Sequence, residues 1–442
     1  MAAAIVVKVG VAAPAIIDAA ATAVAVLSIA AVVSCNGNSK GAAEFKPSLD
    51  KNTRCSIKVV GDYDNFEALE AEFDRFNDYY PNVVLSYRKK DSYVSTLANS
   101  LSSEDAPNIF FSYAAWMSGD ATYSSIVPHM EDLSDPALNI NLDCLRPGLV
   151  NHDANGKTFM APVFSRTYGA MVNSDIFAKE GINLPNTWDE LIAACQSLVT
   201  KEYANPMMGY SKGDSSCWMN TVAYPAVVAA LANNSEALAK ANSLDPTAGE
   251  YLRDALNKVK QLVDSGAVNI EECDNISDNY KQVLLRFFEG DVPMMVCTAD
   301  TVSGRKKREK ESDAFKNNPF SYTFVPIPMN DQGGYFVDSP SVQFSVNKDC
   351  KNLDMTNEFM RFLFQQEELK NMAYLKGLIS PTKEHTFGAV YASFGEIPEN
   401  RTFFPEAIGI KDALVKQLRL ASYRVGRGEM TVDEAVANYG QF

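Results

Sequence analysis

Residues 54–81 read RCSIKVVGDYDNFEALEAEFDRFNDYYP. The first ten, RCSIKVVGDY, alternate apolar and polar side chains and end in the turn signal Gly61-Asp62, which predicts a strand. Phe66, Leu69, Phe73, Phe76 and Tyr80 then recur at helical spacing until Pro81 stops the run, which predicts an amphipathic helix. Working outward, residues 83–88 are strand-like, 93–101 helix-like, and 108–113, NIFFSY, form the short apolar run of a buried strand. Strands that alternate with helices predict a parallel sheet covered by helices, an α/β fold.

A second alternation follows. Thr187-Trp-Asp-Glu190 is a capping box, with Leu191, Ala194, Cys195 and Leu198 behind it as one apolar face. A helix over 250–264 buries Leu252, Ala255, Leu256, Val259, Leu262 and Val263 and ends before Gly266. Residues 280–289 are helical, 292–297, 322–327 and 341–346 are strands, and the remainder is mainly helical. No internal repeat of fixed period is present.

The chain has 442 residues, long enough for two or three domains, and 46% of them are hydrophobic, ample for sizeable cores. Its 55 acidic and 40 basic residues give a net charge of −15 and argue against nucleic acid as a partner, because phosphate binding needs clustered positive charge. The one dense basic run, Arg305 to Glu311, is interleaved with acids and reads as a solvated face. Eight cysteines at 35, 55, 144, 195, 217, 273, 297 and 350 include no CxxC pair, and the three histidines form no HExxH. No metal site or cofactor is expected. The thiols beyond Cys35 read as small buried hydrophobes.

Near the N-terminus, residues 19–34 carry no charge, and Val32, Val33 and Ser34 lead directly into Cys35. The run is short for a membrane span, which needs about 20 residues. This resembles the bacterial lipobox, in which the signal is cut before a cysteine whose thiol carries diacylglycerol. The expectation is a signal peptide over 1–34, lipidation at Cys35 and a tether over 35–53. One acyl chain holds only marginally, whereas two or three hold stably, at about 0.8 kcal/mol per buried CH₂. The competing reading is a buried cysteine at the end of an ordinary apolar helix.

The segments FEALEAEFDRFNDYYPNVVLSY, PNIFF, NGKTFMAPVFSRTYGAMVNSDIFAKEGINLPNTWDEL, FFEGDVPMMVCTAD, YTFVPIP and SVQFSVNKDCKNLDMTNEFMRFLFQQEELKNMA occur in an order that resembles the family 1 extracellular solute-binding proteins. These are carbohydrate-receptor lipoproteins of bacterial ABC importers, and the resemblance covers roughly residues 54–440. It implies the two-lobe periplasmic-binding-protein fold of type II, with ligand in a cleft between lobes joined by crossing strands. It also implies ABC permease subunits as partners and a place on the outer face of the cytoplasmic membrane. The implied crossings are residues 164–166, 298–300 and 344–347. One lobe then comprises 54–163 plus 301–343, and the other 164–300 plus 344–442.

A sugar presents one apolar ring face and a perimeter of hydroxyls, so its site needs an aromatic platform beside acids and amides. Loops at the carboxyl ends of the first strands offer Asp62, Tyr63 and Asp64, then Tyr113 and Trp116. Arg166 and Tyr168 lie at an implied crossing, where an extended strand points both to one face, and a guanidinium there grips vicinal hydroxyls or a carboxylate. Trp218, Asp300, Tyr335 and Phe336 complete the candidates, with Trp116 the leading platform. For each, packing or an ion pair is the competing role. Two other functions stay open: a serine hydrolase using Gly209-Tyr-Ser211-Lys-Gly213, a GxSxG with His385 downstream, and a surface protein that binds glycans without transport.

Overall fold

The strand over residues 55–61 pairs in parallel with Val83–Lys89 on one side and Ile109–Ser112 on the other. Gln343–Val346 runs antiparallel to Ile109–Ser112 and carries Ala161–Pro162 beyond it, closing a five-stranded sheet. These features come from a computed structural model that describes residues 45–118, 121–209, 211–212, 215–216, 219–276 and 280–442. The apolar stripe of the opening segment becomes the helix Glu67–Asn77, whose Leu69, Phe73 and Phe76 are buried against this sheet and its neighbouring helices.

A second sheet has the order Tyr322–Val325, Tyr168–Asn173, Met294–Thr298, Met207–Met208. Its central strand Tyr168–Asn173 is antiparallel to both neighbours, while Met294–Thr298 is parallel to Met207–Met208. Each sheet is therefore mixed where purely parallel pairing was expected. The reason is the chain path: a strand that arrives from the other sheet enters from the opposite end. The helix Trp188–Thr200 starts where the capping box predicts, with the Thr187 side chain accepting from the Glu190 N–H at 3.2 Å.

The buried apolar side chains sort into two clusters, one per lobe. The first draws on residues 45–164 and 342–378, the second on 168–337 and 379–439. This differs from the expected division in two places. Residues 301–343, expected in the first lobe, put Phe324, Ile327, Met329 and Phe336 into the second core, because Tyr322–Val325 hydrogen-bonds to the second sheet. Residues 344–378, expected in the second lobe, pack in the first, where Phe359 and Phe362 meet Phe76 at 5.2 and 5.4 Å between ring centroids.

The crossings shift accordingly. The first lies between Phe164 and Tyr168. Residues 298–300 do not cross, since Cys297, Ala299 and Val302 are all in the second core. Residues 344–347 do not cross either, Phe344 and Val346 being first-core residues. The chain instead returns between Val337 and Val342 and leaves again at Leu378-Ile379. The three crossings lie side by side: Ser165–Arg166 pairs antiparallel with Ser339–Pro340, and Ser165 also bridges to Ile379.

Cys35 and the expected signal peptide lie outside the described residues. Of the expected tether, residues 45–49 are held against the first lobe: the Ser48 N–H and hydroxyl each donate to Glu358 at 2.7 Å, and Phe45 packs edge-on against Tyr79 and Phe362. Cys144, Cys195, Cys273 and Cys297 are buried free thiols, as small hydrophobes would be. Among the described residues, no helix is long and apolar enough to cross a membrane.

Candidate functional site

The loop after Cys55–Gly61 is positioned by its last residue. A Cβ on Gly61 would stand 2.6 Å from the Phe111 ring, so only glycine lets that ring lie against the strand end. Phe111 in turn supports Tyr63, edge-on at 5.2 Å, and Phe66 holds the other side at 5.3 Å. Tyr113, just past the third strand, donates to Asp62 at 2.7 Å. The two loops predicted to flank the site are thus tied to each other. Asp64 takes Lys89 at 2.7 Å and Lys281 at 3.6 Å, and these cations hold its carboxyl below the usual range. Since Lys281 belongs to a helix that packs in the second core, this pair reaches from one lobe to the other.

At the crossings the polar groups converge. Arg166 Nη1 stands 3.5 Å from Asp300 Oδ2, and the Ser341 hydroxyl donates to Asp300 Oδ1. Tyr63 reaches the same place from the first lobe. Burial pushes its hydroxyl pKa well up, the charges of Asp300 and Asp62 add to this, and Ser341 offers a hydrogen bond. Lys376, the last residue of the helix Gln366–Lys376, lies 4.1 Å from the centre of the Tyr63 ring, and burial lowers its pKa while Glu67, Asp300 and Asp64 oppose that. On the other side of Arg166, Tyr168 stands edge-on to Tyr224 at 5.4 Å. Burial pushes the Glu406 carboxyl up to about 7 even though Arg166 is near. Arg166 Nε and Glu406 Oε2 are buried without a hydrogen-bond partner.

Of the sequence candidates, the structure brings Asp62, Tyr63, Asp64, Tyr113, Arg166, Tyr168 and Asp300 together around the crossings. Trp116 is not an open platform. It is 5% exposed, belongs to the first core and meets Tyr113 edge-on at 5.2 Å, because the turn Ala114–Ser118 directs the ring inward. Phe336 is likewise 5% exposed, wedged between Phe387 and Phe394 in the second core. Tyr335 packs on Phe403 and accepts from Asn330, within that same lobe and outside the cluster. Trp218 lies outside the described residues.

Lys376, Ser341, Tyr224 and Glu406 were not anticipated. A lysine in the last turn of a helix reads as a partner for the helix dipole, and nothing local marks the other three. A groove of about 820 Å³ lined by Val199, Tyr203, Ile270, Asp274 and Arg427 lies elsewhere on the second lobe and shares no residue with the cluster. Of the GxSxG segment, Tyr210 and Gly213 lie outside the described residues. Ser211–Lys212 pairs antiparallel with Ser215–Ser216, and His385 lies 3.1 Å from Arg146 Nη1. Among the described residues, no group of three or more His, Cys, Asp or Glu side chains is arranged to hold a metal ion.

Chemically, the cluster offers carboxylates that accept and a guanidinium, an ammonium and hydroxyls that donate, set beside tyrosine rings. That set suits a ligand rich in hydroxyl groups.

A family model described as bacterial extracellular solute-binding protein matches residues 69–396. No curated protein matches the sequence. Solved structures share the fold. The GacH receptor of Streptomyces glaucescens, solved unliganded and with acarbose, is 19% identical over 88% of this chain and 97% of its own, with a TM-score of 0.61. RafE of Streptococcus pneumoniae in its apo form is 17% identical over 87% and 97%, with a TM-score of 0.65, and a RafE complex with raffinose also matches at 0.63. A sugar transporter of Bacillus licheniformis in complex with stachyose is 15% identical over 87% and 99%, with a TM-score of 0.56. At such identities the likeness establishes the architecture, two α/β lobes.

The titration of Glu406 gives a test of the site's electrostatics. Its folded pKa lies above the unfolded value of about 4.3, so its contribution to stability is fully present below that value and is lost as pH rises through about 7. Glu406→Gln should flatten the fall in melting temperature between about pH 4.5 and 8. An unchanged slope would place the carboxyl in water.

Proposed function

The chain belongs to the family of bacterial extracellular solute-binding proteins, and from that premise we propose that it is the receptor subunit of an ABC importer, which captures an oligosaccharide between its lobes and presents it to the permease. The observation that carries this reading is the convergence of Arg166, Asp300 and Ser341 with Tyr63 at the crossings. Groups drawn from both lobes and from the segments between them bind one ligand only when the lobes stand close, so capture and closure are one event. Arg166 and Asp300 are already paired with each other. An uncharged polyol can accept from Arg166 and donate to Asp300 at this half-exposed pair, whereas a charged ligand would have to compete for one partner.

The ligands held by GacH, RafE and the Bacillus licheniformis transporter are acarbose, raffinose and stachyose. These three are the first probes. Bound ligand raises stability by RT ln(1 + [L]/Kd), about 2.7 kcal/mol at a hundredfold excess over Kd, so a thermal-shift screen finds the ligand. Asp300→Ala removes charge-assisted hydrogen bonds worth roughly 1.5–3 kcal/mol and should weaken calorimetric affinity for that ligand by about ten- to a hundredfold. A variant that binds as tightly as the parent would move the site away from the crossings.

We place the receptor at the cell envelope through a lipid on Cys35, motivated by the apolar run and small residues that precede it. Cys35→Ala should leave an uncleaved precursor in the aqueous phase of a detergent partition. Mature protein that still partitions into detergent would overturn the anchor.

A further inference from the structure

Where the three crossings lie side by side, one side chain touches all of them. Arg146 belongs to a first-lobe segment in which Leu145 is a core residue and bridges to Thr382. The Arg146 Nη2 donates to the Ser165 hydroxyl on the first crossing at 2.7 Å. Its Nε donates to Asp338 Oδ2 on the second at 2.6 Å. Its Nη1 donates to the carbonyls of Ser380 and Thr382 on the third, at 2.7 and 2.9 Å. The backbone N–H of Arg146 adds a bond to the Pro381 carbonyl at 2.9 Å.

The surroundings close this knot. Asp338 is fully buried and its own N–H is held by the Phe403 carbonyl at 2.8 Å. Two residues beyond Arg146, the Phe404 ring lies so close to Gly148 that a Cβ there would stand 2.2 Å from the ring. His385 faces Nη1 at 3.1 Å, and burial together with the arginine charge pushes its pKa down to about 4, so it meets the guanidinium as a neutral ring.

A buried ion pair is a poor way to gain stability, because desolvation offsets most of the attraction and well-packed apolar side chains do as well. What a buried arginine supplies is direction: a rigid fork of donors fixes the angles between the groups it joins. We propose that Arg146 is a positioning residue for ligand capture, a pin that holds the three crossings in one register and so sets the angle at which the lobes meet. Lobe rotation is then confined to the backbone torsions beside the pinned atoms, around Arg166, Thr167 and residues 339–341. Without the pin the crossings turn independently, the empty receptor spreads over many lobe angles, and the fraction ready to bind falls. Affinity falls with that fraction, since the apparent Kd is the intrinsic Kd divided by it.

This proposal rests on the reading that the lobes move about the crossings to admit ligand, and its test needs no ligand. Spin labels introduced as unnatural amino acids at the exposed Val84 and Leu184, one on each lobe, report the interlobe distance by pulsed dipolar spectroscopy. The ligand-free parent should give one narrow distribution. Arg146→Lys, which keeps the charge and loses the fork, and Asp338→Asn should each widen it, and stachyose or whichever probe binds the parent should bind about tenfold more weakly. Widths equal to the parent's, with only a lower melting temperature, would overturn the pin and make the pair a purely structural one. Should either variant fail to fold, Ser165→Ala removes a single arm and decides by the same width. A parent that binds none of the three oligosaccharides would count against the capture reading alone, because the ligand-free widths are read regardless.

Discussion

The arrangement of this molecule depends on the buried contact between Arg146 and Asp338. Two lobes with separate cores are joined by three short extended segments, and extended segments by themselves twist freely. Arg146 hydrogen-bonds to all three, through Ser165, Asp338 and the carbonyls of Ser380 and Thr382. The cost of burying two charges is offset by the hydrogen bonds of the fork, while Asp338 Oδ1 stays buried without a partner. The pair is therefore intolerant of small displacements, a property useful in a hinge and wasteful in a core.

The candidate polar cluster is built on the same segments. Arg166 follows Ser165 directly, and Ser341 lies three residues beyond Asp338. A shift in the crossings therefore moves the guanidinium of Arg166 and the hydroxyl that holds Asp300. The proposed pin and the candidate groups share a backbone, while the first lobe contributes Tyr63 and Lys376 from its own strand end and helix end. Orientation of the lobes and completeness of the site are in this way one variable.

Local pattern carried much of the fold. The strand and helix of residues 55–77 were readable because their apolar side chains keep periods of two and 3.6 over a full element, and the Thr187 cap was readable because its bond is made within one turn. Lobe membership was not readable. Residues 322–325, YTFV, look the same whichever sheet they join, and only pairing with Tyr168–Asn173, about 150 residues away, decides it. The same limit applies to the site. Sequence places Trp116 in a loop after a strand, but whether the ring turns outward or inward depends on the path of the turn Ala114–Ser118. Arg146, Lys376 and Glu406 are single charged residues with no local pattern, and their roles arise only where distant segments meet.

The most direct measurement of closure on a sugar is small-angle scattering of the protein titrated with the oligosaccharide that raises its melting temperature. The expected result is a smaller radius of gyration at saturation than in the free state, with each lobe unchanged in shape, because rotation about the pinned crossings brings the lobes together. A radius that stays constant while calorimetry reports the cleft saturated would contradict it.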